Sequence, residues 1–250
     1  GGPGVRQLGS FICILMLCCF LYVPASRSET FTFAVGEWPP FIGAKSPGFG
    51  SHTQIVRRVI EKAGHQAKFD FLPWQRSYQM VRNGTYAATF SWSYTDERSE
   101  EFYFPERPVG LATYVHFYKK DRFPDGIGPL SFDDLRKEGL SVVAVRNYWY
   151  EDMLEAAGVT VEYVSTEQLA WSMLLHERAD VYMESTEVGM IRKAVFLGDE
   201  ASLLVHSPTF LEVPMYPMFS RKHPDGRRLL EIWEASSPPD PETTPEAAIR

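Results

Sequence analysis

Thr30-Phe-Thr-Phe-Ala-Val35, running into Gly36-Glu-Trp-Pro-Pro-Phe41, is the stretch that decides the fold. Its β-branched and aromatic residues predict a strand, and the Gly and Pro cluster after it predicts a rigid turn. Within residues 52–63, Ile55, Val56, Val59, Ile60 and Ala63 recur at helical spacing, and Gly64 stops the helix. A short strand at 69–72, a helix at 74–83 closed by Asn83-Gly84 and a strand at 86–90 follow. Strand, helix, strand, helix, strand in close succession needs crossover connections. That pattern implies a parallel sheet with helices over both faces, an α/β fold.

The same grammar restarts near residue 140. A strand at 140–145, a helix at 149–157 closed by Gly158 and a strand at 159–164 are expected. A helix at 166–176 follows, with Ser165 and Gln168 at capping-box spacing, and then a strand at 181–183. Two units of similar size predict two lobes. Between them lie a strand-like run at 111–119 and the turn-rich Asp121-Arg-Phe-Pro-Asp-Gly-Ile-Gly-Pro129. If the segment after residue 205 returns to the first lobe, two crossings make a hinge. Lobe one is then 29–118 plus 206–235 and lobe two is 119–205. Residues 236–250, rich in Pro, Thr, Glu and Ala, are expected to be disordered.

The 250 residues carry a net charge of −7, so too little positive charge is available to neutralise nucleic-acid phosphates. Residues 11–23 are uninterrupted apolar, preceded by Arg6 and followed by Val23-Pro-Ala-Ser26. Thirteen helical residues span about 20 Å, short of the roughly 30 Å hydrocarbon core, so a signal peptide over 1–25 is expected rather than an anchor. Cys13, Cys18 and Cys19 all fall inside it. The exported chain is thus expected to have no disulfide and no thiolate site, and its core alone must hold it.

Seven motifs in register resemble the type 3 extracellular solute-binding proteins, the periplasmic receptors of polar amino-acid importers. They are Val35-Gly-Glu-Trp-Pro-Pro-Phe41, Leu72-Pro-Trp-Gln-Arg76, Phe90-Ser-Trp-Ser-Tyr-Thr-Asp-Glu-Arg98, Phe102-Tyr-Phe-Pro105, Arg146-Asn-Tyr-Trp-Tyr150, Arg178-Ala-Asp-Val181 and Ser220-Arg-Lys-His-Pro-Asp-Gly226. The resemblance covers residues 29–235. It implies a two-lobed periplasmic-binding-protein fold with a two-strand hinge and a central ligand cleft. It also implies a monomer that carries a small polar solute to an importer's membrane permease, with no cofactor. Such relatives have a longer C-terminal helical segment than the one opening near Asp225 here, so reduced packing on lobe one is expected.

The resemblance places Arg98 on the ligand's carboxylate, a role that suits a planar guanidinium giving two parallel charge-assisted hydrogen bonds. Thr95 is a fitting N-cap for the helix that carries it, and Asp96 and Glu97 suit that helix's first turn. Ser91 and Ser93 alternate along the preceding strand and match ligand-bonding positions; Trp38 and Trp74 match ligand-flanking ones. For each the competing expectation is plain: a solvated arginine, turn serines, core tryptophans. Phe41 is expected in the core. The acid that holds a ligand amino group would fall near Ser185, which is not acidic; Glu184 or Glu37 substitutes, although one residue of strand register reverses the face. The second-lobe loop reads Asn147-Tyr148-Trp149, bulky enough to reshape the cleft, which puts a standard α-amino acid in doubt. Arg76 and Arg146 are further cleft candidates, and several arginines would favour more than one anionic group.

Enzyme signatures are missing. The six histidines are scattered, and neither HExxH, Gly-x-Ser-x-Gly nor a phosphate loop occurs. The expectation is therefore a binding protein, not an enzyme. A sensory module of the same fold, or a dehydratase using Glu37 or Glu184 for acid–base work, are the rival expectations.

Overall fold

The computed structural model describes residues 28–146 and 148–236. The expected signal peptide with its three cysteines, Asn147 and the tail at 237–250 lie outside the described residues. The first half runs β1 (Thr30–Val35), α1 (Ser51–Lys62), β2 (Gln66–Phe71), α2 (Trp74–Arg82), β3 (Ala88–Ser93), α3 (Asp96–Glu101), β4 (Phe102–Tyr103) and β5 (Gly110–Lys119). The second half runs α4 (Phe132–Lys137), β6 (Ser141–Val145), α5 (Glu151–Ala157), β7 (Thr160–Val164), α6 (Glu167–Leu175), β8 (Val181–Ser185) and α7 (Thr186–Leu197). It continues through β9 (Leu204–His206), β10 (Leu211–Ser220) and α8 (Gly226–Ala235). Among the described residues no helix is long and apolar enough to cross a membrane.

The strands form one curled sheet in the order β2-β1-β3-β10-β5-β8-β6-β7. Each end is parallel: β1 between β2 and β3, and β6 between β7 and β8. The middle is antiparallel. β10 pairs with β3 and, from Leu211 to Met215, with Tyr114 to Gly110 of β5; β5 then pairs with β8 and β9. Two long strands are thus the link between two parallel α/β units, which is the two-lobed arrangement of the periplasmic-binding-protein fold.

Ile55, Val56, Val59 and Ile60 of α1 are buried against the sheet, while Ala63 is exposed. Each buried Val or Ile contributes about 1.5–3 kcal/mol relative to exposure. Gly64 ends the helix at φ +84, a conformation that costs glycine nothing. On the other lobe Trp171 packs edge-on to Phe117 and Tyr182, at 5.0 and 4.8 Å. The last helix does pack on lobe one. Leu229 and Trp233 of α8 are buried, and the Trp233 indole donates to the Arg107 carbonyl at 2.9 Å.

Several boundaries differ from the sequence-based expectation. The strand expected at 86–90 is Ala88–Ser93, because Thr85 and Tyr86 still donate to the Met80 carbonyl and close the turn. The α6 cap is Thr166, not Ser165: its hydroxyl accepts the Leu169 amide, which lies three residues on. Helices α4 and α7 were not anticipated. α7 buries Val188 yet exposes Met190, Ile191 and Val195, so its apolar residues trace no single stripe.

Candidate functional site

Strand ends from both lobes open onto one cleft of about 440 Å³. From lobe one, the turn after β1 supplies Glu37 and Trp38, α2 supplies Trp74, and the end of β3 supplies Ser91 and Ser93, with Arg98 following on α3. Tyr148 and Glu184 reach it from the other side. Eight of the ten cleft candidates named from the sequence therefore line a single cavity. Phe41 is in the core, as expected, 4.5 Å from the Trp38 ring.

The turn is built by close contact. Trp38 and Ile42 exchange backbone hydrogen bonds, and the Trp74 indole donates to the Glu37 carbonyl at 3.2 Å. Gly36 lies so near that ring that a Cβ there would stand 2.3 Å from it. Only glycine lets the indole lie across the chain.

Arg98 is half-buried. The Thr95 hydroxyl accepts its amide at 3.1 Å, which starts α3 as the sequence foresaw. One guanidinium nitrogen donates to both the Ser93 carbonyl and the Ser93 hydroxyl, each at 2.8 Å, and the group lies 5.1 Å from the Trp92 ring centre. Among the described residues no carboxylate comes within ion-pair distance of it. Burial draws its pKa down, but a guanidinium stays a cation in any accessible pH range. A guanidinium anchored by Ser93, half-desolvated and without an ion pair has the chemistry to take an anion.

β3 does not simply alternate. Met218 pairs with Thr89 and Tyr216 with Trp92, so Phe90 and Ser91 together face the single residue Pro217. Proline has no amide hydrogen for the ladder, which makes it a natural place for a bulge. Ser91 takes φ +67, and its hydroxyl meets Nδ1 of the buried His52 at 2.8 Å. With the bulge, Ser91, Trp92 and Ser93 all border the cleft.

On lobe two, Glu184 lies on β8 and faces the cavity, whereas Ser185 is fully buried and bonds Glu187. Burial, reinforced by Glu167, raises the Glu184 carboxyl from 4.5 to about 8, against the pull of the Ser185 amide, Arg192 and Tyr182. Tyr148 donates to Glu167 at 2.6 Å, and Arg192 pairs with the same carboxylate at 3.3 Å. Arg192, on the unanticipated α7, is the second cleft arginine. Arg76 is exposed and does not line the cavity. Arg146 is turned outward to Glu151 at 3.0 Å and lies over the Tyr163 ring. Neither belongs to the site, because solvent and local pairing satisfy both. Tyr114, Trp92, Tyr150 and Glu167 also line the cleft. Trp92 and Tyr150 fall inside quoted motifs and Glu167 in an expected first helical turn, but the sequence singles out none of the four as a site residue. Among the described residues no group of three or more His, Cys, Asp or Glu could hold a metal ion.

No family model matches this chain, and no curated protein matches it. Solved structures do. An ancestral arginine-binding protein bound to arginine is 20% identical with a TM-score of 0.59, covering 82% of this chain and 89% of its own. A histidine kinase sensor domain with similarity to periplasmic binding proteins is 17% identical with a TM-score of 0.61, covering 83% and 88%. An ancestral amino acid-binding protein, a precursor of cyclohexadienyl dehydratase, is 19% identical with a TM-score of 0.57, covering 81% and 86%. At these identities the likeness establishes the fold and nothing narrower.

Proposed function

We propose that this chain is an exported receptor that closes its two lobes on a small polar solute carrying an anionic group, amino-acid-like or another anionic metabolite. The closed form delivers that solute to the permease of an ABC-type importer in the periplasm. The observation that carries the reading is Arg98, pinned by Ser93 on the cleft wall with no carboxylate of its own. Ser91 and Ser93 flank it as hydrogen-bonding groups, Trp38 and Trp74 supply apolar faces, and Tyr148, Glu184 and Glu37 complete the enclosure. Two strands between the lobes suit a hinge, and the ligand favours closure only by its differential affinity for the closed form.

A sensor that reports closure to a membrane protein uses the same site, and the likeness to the kinase sensor domain supports it as the second reading. A dehydratase is the third: a buried carboxyl near pH 8 is fitted to acid–base work, though buried carboxyls also occur in plain binding sites. A thermal-shift screen of residues 26–250 against amino acids, dicarboxylates and polyamines, with product analysis of each binder, tests the set. Stabilisation by an anionic solute that is recovered unchanged supports the receptor. Turnover removes it in favour of the enzyme, and failure of every anionic solute to stabilise the protein removes the anion-binding reading.

A further inference from the structure

Five charged side chains line the cleft, and they are not equally occupied. Glu167 and Arg192 pair with one another, and Glu37 is exposed while accepting the Ala44 amide at 3.1 Å. None of Glu37, Arg98 and Glu184 has an ion pair among the described residues; Glu37 is in solvent, so the two drawn out of water without one are Arg98 on lobe one and Glu184 on lobe two. Glu184 is more than nine-tenths buried, faces the cavity, and accepts the amide of its own neighbour Ser185 at 2.7 Å.

What surrounds that carboxyl is aromatic. Tyr114, Tyr148 and Tyr150 line the same cavity; burial raises the pKa of each, and Glu184 is near enough to add to the rise. Trp149 packs edge-on to Tyr114 at 5.1 Å and to Tyr150 at 5.6 Å, and Tyr148 to Tyr150 at 5.7 Å. Ring faces attract a cation through their quadrupole, and most strongly one that gives up its water easily. A compact primary ammonium holds its water tightly; a guanidinium or an alkylated ammonium, with charge spread beside apolar atoms, does not.

We infer that the lobe-two half of the cleft is a site for a weakly hydrated organic cation, a guanidinium or alkylated ammonium, held by Glu184 inside the Tyr114, Tyr148, Trp149 and Tyr150 rings. This rests on Arg98 taking the anionic group, so the ligand is amphoteric, with its two charges set apart. The groups facing Glu184 are Glu167 from α6, Arg192 from α7 and Tyr182 on its own strand. Burial keeps the empty site's carboxyl protonated at neutral pH, so an arriving cation drives its proton off and binding tightens as pH rises.

The test is calorimetric titration of residues 26–250 with L-arginine and Nε-trimethyl-L-lysine, against L-glutamate and L-norleucine, in buffers of different ionisation enthalpy. The two side-chain cations are expected to bind roughly tenfold or more tightly than the controls and to release close to one proton near neutral pH. Glu184→Gln should remove that preference and the proton release. Trp149→Ala, at an exposed ring, should weaken the cations several-fold and spare L-norleucine, which keeps the test valid if Glu184→Gln does not fold. Retained cation affinity in Glu184→Gln, tighter binding of a control, or no binding of either cation overturns the assignment. The wider anionic panel above fails or succeeds independently, so loss of the cation site and loss of the receptor reading are distinguishable.

Discussion

His52 Nδ1 stands 2.8 Å from the Ser91 hydroxyl at the cleft's edge, tying α1 to the bulged end of β3. The bond is buried, and it accompanies a serine held at φ +67. A left-handed backbone costs a residue with a Cβ about 1–2 kcal/mol, so the bond and the strain belong to one local arrangement.

Ser91→Ala should keep the strain and strand a buried imidazole nitrogen, destabilising the protein by about 1–3 kcal/mol. Ser91→Gly loses the same bond but relaxes the backbone, so its loss should be smaller. Urea denaturation should rank parent, then glycine, then alanine. An alanine variant as stable as the parent would show that the contact contributes nothing.

Gly36→Ala should weaken ligand binding although Gly36 is outside the cleft's lining. The added methyl would meet the Trp74 ring at 2.3 Å and push it off the Glu37 carbonyl, displacing one wall. Roughly tenfold weaker binding is expected, the usual scale for a displaced aromatic contact. Unchanged affinity with Trp74 fluorescence unaltered would argue against this coupling.

Stability should fall between about pH 6.5 and 8 in the ligand-free protein. Glu184, at 4.5 unfolded and about 8 folded, holds a proton in the native state that the unfolded chain has lost. Its contribution is complete below 4.5 and disappears as pH rises through 8. His52 and His116 act in the opposite sense. Burial takes each from 6.5 to about 4, so their contribution is present above 6.5 and lost as pH falls through 4. Melting temperatures of the parent and Glu184→Gln across this range separate the two: the alkaline fall should vanish in the variant and the acid fall should stay.

Much of this architecture can be read from residue order, and the reason is periodicity. Thr30–Val35 and the α1 face of Ile55, Val56, Val59 and Ile60 announce themselves because each buries one side only. Arg98 and Thr95 are legible for a local reason, since a cap and an acidic first turn are set within four residues. α7 escaped because it is apolar on more than one side, and Arg192 was missed with it. Glu184 was ambiguous by one register step, which only its pairing with Val115 across β5 resolves. The Ser91 bulge depends on Pro217, more than a hundred residues away, and no local pattern contains that information. Arg76 and Arg146, further cleft candidates in one dimension, are separated from Arg98 by exposure and, for Arg146, by its pairing with Glu151.

Calorimetric titration of the parent, Arg98→Lys and Arg98→Ala with the tightest-binding anionic solute bears most directly on the guanidinium in the cleft. A loss of about 2–5 kcal/mol is expected for alanine, with lysine intermediate, as when one partner of a desolvated charged pair is removed. The melting temperature of the free protein should hardly move, because the side chain's polar partners there are the Ser93 carbonyl and hydroxyl. Equal affinity in the parent and Arg98→Ala contradicts anion capture at this position.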